Sequence, residues 1–156
     1  MLRISCLLAL LIVPSASAFS QKRIPQFKDY PAQGEYRGKN APVIITRKDR
    51  MFRSVLRESA KEKPNFAGHY ILAAWGCGAS CLMGAVIDAN TGRVYWLPFT
   101  LCCWGNVDRD VNFTPIEFRP NSRLVVFTGL RNEAMENWGP HFYEFDGKRF
   151  KFIQTH

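Results

Sequence analysis

The sequence predicts an α+β fold: a single domain dominated by an antiparallel sheet, with one N-terminal amphipathic helix and with disulfide staples. Three observations carry this prediction. Apolar segments separated by turn residues fill the chain after residue 64, one earlier segment has helical spacing, and four cysteines lie close together. The chain has 156 residues, of which 47% are hydrophobic, so it is long enough to bury one core. This composition excludes a disordered or collagen-like chain.

Residues 1–18 have the features of a secretory signal peptide. Arg3 precedes an apolar run at 7–13, and Ala-Ser-Ala at 16–18 forms a small-residue cleavage site. The apolar run is shorter than the roughly 20 residues that span a bilayer. We therefore expect cleavage after Ala18 and a product in the periplasm or outside the cell. Losing Arg3 and Cys6 lowers the net charge from +8 to +7 and the cysteine count from five to four.

The remaining chain divides into an arm and a domain. Residues 19–45 are rich in proline, glycine and aromatic residues, which predicts an irregular arm that closes with a short strand at 43–45. Residues 46–156 form the α+β domain.

The predicted helix begins at Thr46, with Asp49 in the capping-box position, and ends before Pro64. One face is apolar and comprises Met51, Phe52, Val55, Leu56 and Ala60. The opposite face carries a basic stripe, namely Arg50, Arg53, Arg57 and Lys61. Such a stripe is either a solvated helix surface or a contact for something acidic.

Strands are predicted over residues 69–75, 83–89, 93–97, 113–119 and 123–128. Gly92 follows Asn90 and Thr91 in the turn of one hairpin. Asp146-Gly147 is a preferred two-residue turn, and it predicts a last hairpin with Tyr143 opposite Phe150.

Four cysteines admit three connectivities. Because a bond between the adjacent Cys102 and Cys103 closes a strained ring, we favour bonds that cross from the Cys77/Cys81 loop to the Cys102/Cys103 segment. The alternative is a local Cys77–Cys81 bond beside a vicinal or free pair. The spacing fits neither a zinc site nor a redox motif, so no metal and no cofactor is predicted.

The cysteine loop is also a candidate contact surface. Gly78 and Ser80 lie in a glycine-rich loop, and Trp75 and Trp104 flank the cysteines. A crosslinked loop loses little entropy on binding, which favours a protein-contacting platform. The alternative is that the tryptophans cap the core.

Catalytic residues are sparse. A Ser80–His69–Asp88 triad can be written from the sequence, but Ser80 lacks the sequence context of a nucleophile elbow. A histidine within a strand is more often a hydrogen-bonded structural residue.

The basic charge favours an acidic partner. No aromatic-basic motif for nucleic acid is present, and export removes the chain from most nucleic acid. An anionic envelope component or an acidic protein suits the predicted compartment better. No transmembrane segment is expected after signal removal.

Several motifs together resemble a group of small, uncharacterised exported bacterial proteins. They are RESAK at 57–61, PNFAGHY at 64–70, WGCGASC at 75–81, DxxTGxVxxLP at 88–98 and CCW at 102–104. The resemblance covers nearly all of the chain after the signal, and it implies export and bacterial origin but no activity. The sequence thus predicts an exported binding module that contacts a protein or an anionic envelope component. The alternative is an envelope hydrolase that uses His69 with Ser80 or a nearby carboxylate.

Overall fold

The computed structural model describes residues 23–104, 113–135 and 138–156. Two 3-10 helices span Phe27–Asp29 and Arg47–Phe52, and an α-helix, α1, spans Arg53–Ser59. The strands are β1 (Tyr70–Gly78), β2 (Cys81–Asp88), β3 (Val94–Trp96), β4 (Leu101–Cys102), β5 (Ile116–Phe118), β6 (Leu124–Arg131), β7 (Gly139–Phe145) and β8 (Phe150–Thr155). The signal segment predicted for residues 1–18 lies outside the described residues.

The eight strands form one sheet in the order β1-β2-β4-β6-β7-β8, with β3 paired to β2 and β5 paired to β6. Every pairing is antiparallel. The prediction of a sheet-dominated α+β fold is confirmed. Within the described ranges, no helix is long and apolar enough to cross a membrane.

The helical segment is shorter and less regular than its sequence pattern predicts. The predicted capping box between Thr46 and Asp49 is present, but it opens a 3-10 helix, and the α-helical part covers only seven residues. A 3-10 helix has about three residues per turn, so a spacing of 3.6 does not hold there. Met51 consequently lies 85% exposed, and its prediction as an apolar-face residue is wrong, whereas Leu56 is fully buried.

The β1–β2 hairpin separates two parts of the core. Ile71 and Ile87 face a cluster that includes Leu56 of α1. Their neighbours Leu72 and Val86 face the larger cluster formed with the later strands. Successive strand residues point to opposite faces, so both faces of this hairpin are covered. The helix is thereby fixed on one side of the sheet.

The arm runs along the sheet ends through backbone hydrogen bonds. Ala41 N–H donates to the Ala89 carbonyl at 2.7 Å, and Ile44 N–H donates to the Gly92 carbonyl at 2.8 Å. Residues 43–45 form no strand, contrary to the prediction. Single hydrogen bonds to a turn hold this segment, rather than a continuous ladder with a neighbouring strand.

The register of the last hairpin also differs from its prediction. Phe145 pairs with Phe150, and Tyr143 pairs with Phe152 rather than with Phe150. The side chain of Asp146 accepts hydrogen bonds from the N–H groups of Lys148 and Arg149, both at 3.0 Å. The turn is therefore four residues long, because this carboxylate stabilises a wider loop than the Asp-Gly pair alone predicts.

Candidate functional site

The cysteines pair locally. Cys77 bonds to Cys81 with a Cα–Cα distance of 5.1 Å, and Cys102 pairs with Cys103. The crossing connectivity favoured from the sequence is wrong. The tight β1–β2 turn explains the outcome, because Gly78 lies opposite Cys81 and brings Cys77 within bonding distance of it. The two pairs still share one end of the molecule, since Cys81 lies opposite Cys102 in the sheet.

The hairpin tip protrudes from this end. Residues 76–80, which include Gly78 and Ser80, are all exposed. Trp75 does not belong to that exposed surface, since it packs against Phe52 at 5.8 Å and Trp96 at 5.7 Å between ring centroids. Trp75 thus contributes to the core beneath the helix.

A different tryptophan lies on the cysteine end. Trp104 is half-buried, whereas Trp138 is 51% exposed and donates its indole N–H to the Cys103 carbonyl at 3.0 Å. Sequence reasoning missed Trp138 because it lies 35 residues away from Cys103 along the chain. No local spacing signals such a contact.

The opposite end of the β1–β2 hairpin brings His69 and Asp88 together. His69 Nε2 lies 3.6 Å from Asp88 Oδ1, and both side chains are largely buried. Asp88 also accepts hydrogen bonds from Asn90 N–H at 2.8 Å and from the Thr91 hydroxyl at 2.7 Å. Burial, with the nearby Asp88 carboxylate, raises the pKa of Tyr70 to about 12. Asp88 therefore stabilises the turn that leads from β2 into β3.

Ser80 is not part of this group. It lies in the turn at the far end of the hairpin, whereas Tyr70, next to His69, pairs with Asp88 at the near end. Eight residues of extended strand separate the two ends by roughly 25 Å. The Ser80–His69–Asp88 triad is therefore not assembled.

The His69 imidazole is also poorly placed to exchange a proton with a ligand. A cavity of about 590 Å³ adjoins His69 and Asp88 and is bounded by arm residues 34–37. His69 Nε2 faces Asp88, and Nδ1 is buried without a hydrogen-bond partner. Gly34 covers Nδ1 so closely that a Cβ there would lie 3.1 Å from it. The arm therefore covers Nδ1, the ring nitrogen that does not face Asp88 and that a general base would use.

The basic stripe divides into two parts in the structure. Arg50 and Arg53 are exposed at the start of the helical segment, where the Arg53 guanidinium donates to the Arg50 carbonyl at 3.2 Å. Arg57 and Lys61 lie at its other end, where they line a groove of about 750 Å³.

This basic groove lies between the arm and the C-terminal end of α1. Its charged lining comprises four cations and one carboxylate: Lys39, Arg57, Lys61, Lys63 and Glu62. Lys61 Nζ is paired with Glu58 at 2.6 Å. With Glu58 counted, four cations face two carboxylates, so the groove keeps a net positive charge.

Asn40 fixes the wall of the basic groove. Its side-chain NH₂ donates to the carbonyls of Ala60 at 2.7 Å and Glu62 at 2.8 Å, groups left without partners at the helix end. Its side-chain oxygen accepts a hydrogen bond from the Tyr36 hydroxyl at 2.6 Å. These bonds hold the arm against the helix end, so the two backbone segments that carry the cations keep their spacing.

Within the ranges that the structure describes, no three His, Cys, Asp or Glu side chains are grouped to hold a metal ion. Comparisons of the chain with protein-family models, with curated proteins and with solved structures find no match.

Proposed function

We propose that the protein is an exported binding module that engages an anionic component of the bacterial envelope through the basic groove. The observation that carries this proposal is the convergence of four cations on a groove of about 750 Å³, against two carboxylates, Glu62 in its lining and Glu58 paired with Lys61. A concave site with unbalanced charge concentrates a ligand of opposite sign.

The groove suits an extended anion rather than a single ion. Its cations come from two segments, Lys39 from the arm and Arg57 to Lys63 from the helix end and the residues after it. A chain of sulfate, phosphate or carboxylate groups can contact both walls at once. Arg57 adds a planar donor suited to such groups.

The rigid wall adds affinity. Since Asn40 already ties the arm to the helix end, binding orders few further residues. A net charge of +7 on the chain after the predicted signal draws the same ligands from a distance.

The test measures binding of dextran sulfate, with neutral dextran as the matched uncharged polymer. The variant Arg57→Gln/Lys63→Gln removes two cations from the groove, and Arg50→Gln/Arg53→Gln removes two cations of the helical segment outside it. We expect the groove variant to weaken binding about tenfold or more, because two exposed charged contacts are lost and each contributes about 1 kcal/mol. Raising the salt concentration to about 0.5 M should weaken wild-type binding as well.

The control variant should weaken binding much less than the groove variant. Equal losses in both variants would show that net charge, rather than the groove, determines binding. Equal affinity for dextran and dextran sulfate would refute the anionic ligand.

A second candidate surface is the hairpin tip, which a protein partner would contact. Residues 76–80 are exposed in a continuous run, and the Cys77–Cys81 bond limits their freedom. The tip and the basic groove lie at opposite ends of the β1–β2 hairpin, because the arm beside the groove bonds to Ala89, just beyond the far end of β2. Binding at one surface is therefore distinguishable from binding at the other.

A further inference from the structure

We propose that the Cys102–Cys103 pair is a thiol–disulfide exchange site, and that an incoming thiol attacks the sulfur of Cys103. This activity is separate from the basic groove and does not depend on it. Its substrate class is a thiol, either a small molecule or a cysteine of another exported protein.

Covalent connectivity distinguishes this pair from the other one. Adjacent residues across a trans peptide lie 3.8 Å apart, and disulfides ordinarily join Cα atoms 4.4–6.8 Å apart. The Cys77–Cys81 separation of 5.1 Å falls within that range. A bond between neighbours closes a small ring, which makes Cys102–Cys103 the more easily reduced of the two pairs.

Burial decides which sulfur is attacked. Cys102 is 3% exposed and lies in the sheet between Cys81 of β2 and Leu130 of β6. Cys103 is exposed just beyond the end of β4. Since exchange requires access to the sulfur, Cys103 is the electrophile and Cys102 is the leaving group.

The backbone around the pair is held in an uncommon conformation. Cys103 has φ of +56°, and the facing strand β6 approaches so closely that a Cβ on Gly129 would lie 2.4 Å from the Cys102 carbonyl oxygen. Side chains with a Cβ seldom adopt this left-handed region, and such residues cluster where structure serves function. Trp138 donates to the Cys103 carbonyl and precedes Gly139, which pairs with Gly129 of β6, so its indole can report movement of the backbone at Cys103.

Exchange with a thiol proceeds in two steps. A thiolate attacks Sγ of Cys103, the Cys102–Cys103 bond breaks, and Cys102 leaves as a thiolate that takes up a proton. The product is a mixed disulfide on Cys103. In that mixed disulfide, a second thiolate of the same kind attacks the sulfur that came from the first thiol. This step releases the two joined as an oxidised dimer and leaves Cys103 as a thiol. Two thiols are oxidised and one disulfide is reduced.

The first test uses the wild-type protein in a series of glutathione buffers, followed by alkylation of free thiols and peptide mapping. We expect Cys102 and Cys103 to become alkylated at glutathione concentrations at least about tenfold below those that open Cys77–Cys81. Opening of Cys77–Cys81 first, or of both pairs together, would overturn the proposal.

The second test asks which sulfur reacts. Cys102→Ser and Cys103→Ser, each with one remaining thiol in the pair, are treated with oxidised glutathione. The Cys102→Ser protein should gain a glutathione on Cys103 at least about tenfold faster than the Cys103→Ser protein gains one on Cys102. Equal rates in the two folded variants would contradict the assignment, and the wild-type mapping remains decisive if either variant fails to fold.

Discussion

Asp49 connects the start of the helical segment to the sheet. Its carboxylate accepts hydrogen bonds from the Thr46 backbone N–H at 2.8 Å and from the Trp96 indole at 2.8 Å, and its side chain is buried. Burial acts to raise the pKa of Asp49, but the hydrogen bonds from Thr46 and Trp96 outweigh it and hold the pKa below its usual value. The capping role is readable from sequence, since Thr46 and Asp49 are three residues apart. The bond to Trp96 is not, since 47 residues separate the partners.

His141 is a second buried ionisable residue whose protonation bears on stability. It is fully buried, with Nε2 donating to the Gly129 carbonyl at 2.9 Å and Nδ1 bonded to the Thr155 hydroxyl at 2.8 Å. Burial lowers the pKa of His141 below its usual value, and the nearby Arg131 charge acts in the same direction. The folded protein therefore favours the neutral ring.

These shifts predict that the protein loses stability in acid in two stages. As the pH falls, His141 is protonated in the unfolded chain at a higher pH than in the folded protein. Its contribution to the free energy of unfolding is therefore complete above pH 6.5 and is lost as the pH falls through the lowered folded pKa. The second stage falls below pH 3.8, where the stabilising contributions of Asp49 and Asp146 are lost. Burial acts to raise both pKa values, but hydrogen bonds outweigh it and lower them, and the pKa of Asp146 falls to about 2. Urea unfolding at pH 7, 5 and 3 measures the decline.

His141→Gln is the matched control for the first stage. Its unfolding free energy should change less between pH 7 and pH 5 than that of the wild type. An equal change in both proteins would mean that His141 does not contribute to the first stage.

At the level of elements, the arm packs tightly on the β2–β3 turn. A Cβ on Gly92 would lie 2.0 Å from the Pro42 carbonyl oxygen. Gly92 also has φ of +74°, which suits the hairpin turn. The sequence predicts this turn correctly from its glycine, but it does not reveal that the arm packs on it, because that approach depends on backbone atoms 50 residues earlier in the chain.

Gly92→Ala should therefore destabilise the protein by more than the backbone conformation alone explains. Gly38→Ala is the control, since Gly38 has φ of +82° but no atom within 4 Å of a Cβ placed there. We expect Gly38→Ala to cost about 1 kcal/mol from the left-handed backbone. Gly92→Ala should cost about 2 kcal/mol or more beyond that, because the arm must move. Equal costs in thermal or urea unfolding would show that the arm contact contributes nothing.

For the other elements too, the sequence predicts local features but not contacts between distant residues. Strand segments and turns are predictable because alternation and turn residues are local signals. The length of the helical segment and the register of the last hairpin are not, since a 3-10 start exposes Met51 and the Asp146 side chain widens a turn. The cysteine pairing likewise depends on how closely Gly78 and Cys81 approach across a turn.

At the level of the whole molecule, the basic groove and the two cysteine pairs lie at opposite ends of the β1–β2 hairpin. The basic stripe supplies Arg57 and Lys61 to the basic groove, and these two residues are visible in the sequence as helical spacing. Lys39 and the fixed wall formed by Asn40 come from the arm, about 20 residues earlier. Only folding brings them to the helix end, so the groove could not be read from the sequence.

Binding at the basic groove is measured most directly by titrating isotope-labelled protein with a short sulfated dextran and following the backbone amide NMR signals. Binding in the groove should shift the signals of residues 39–41, 43 and 57–63 together and saturate them with a single affinity. Signals of residues 76–80 at the hairpin tip should stay in place. Shifts confined to the tip, with the groove signals unchanged, would contradict the assignment of the groove as the binding site.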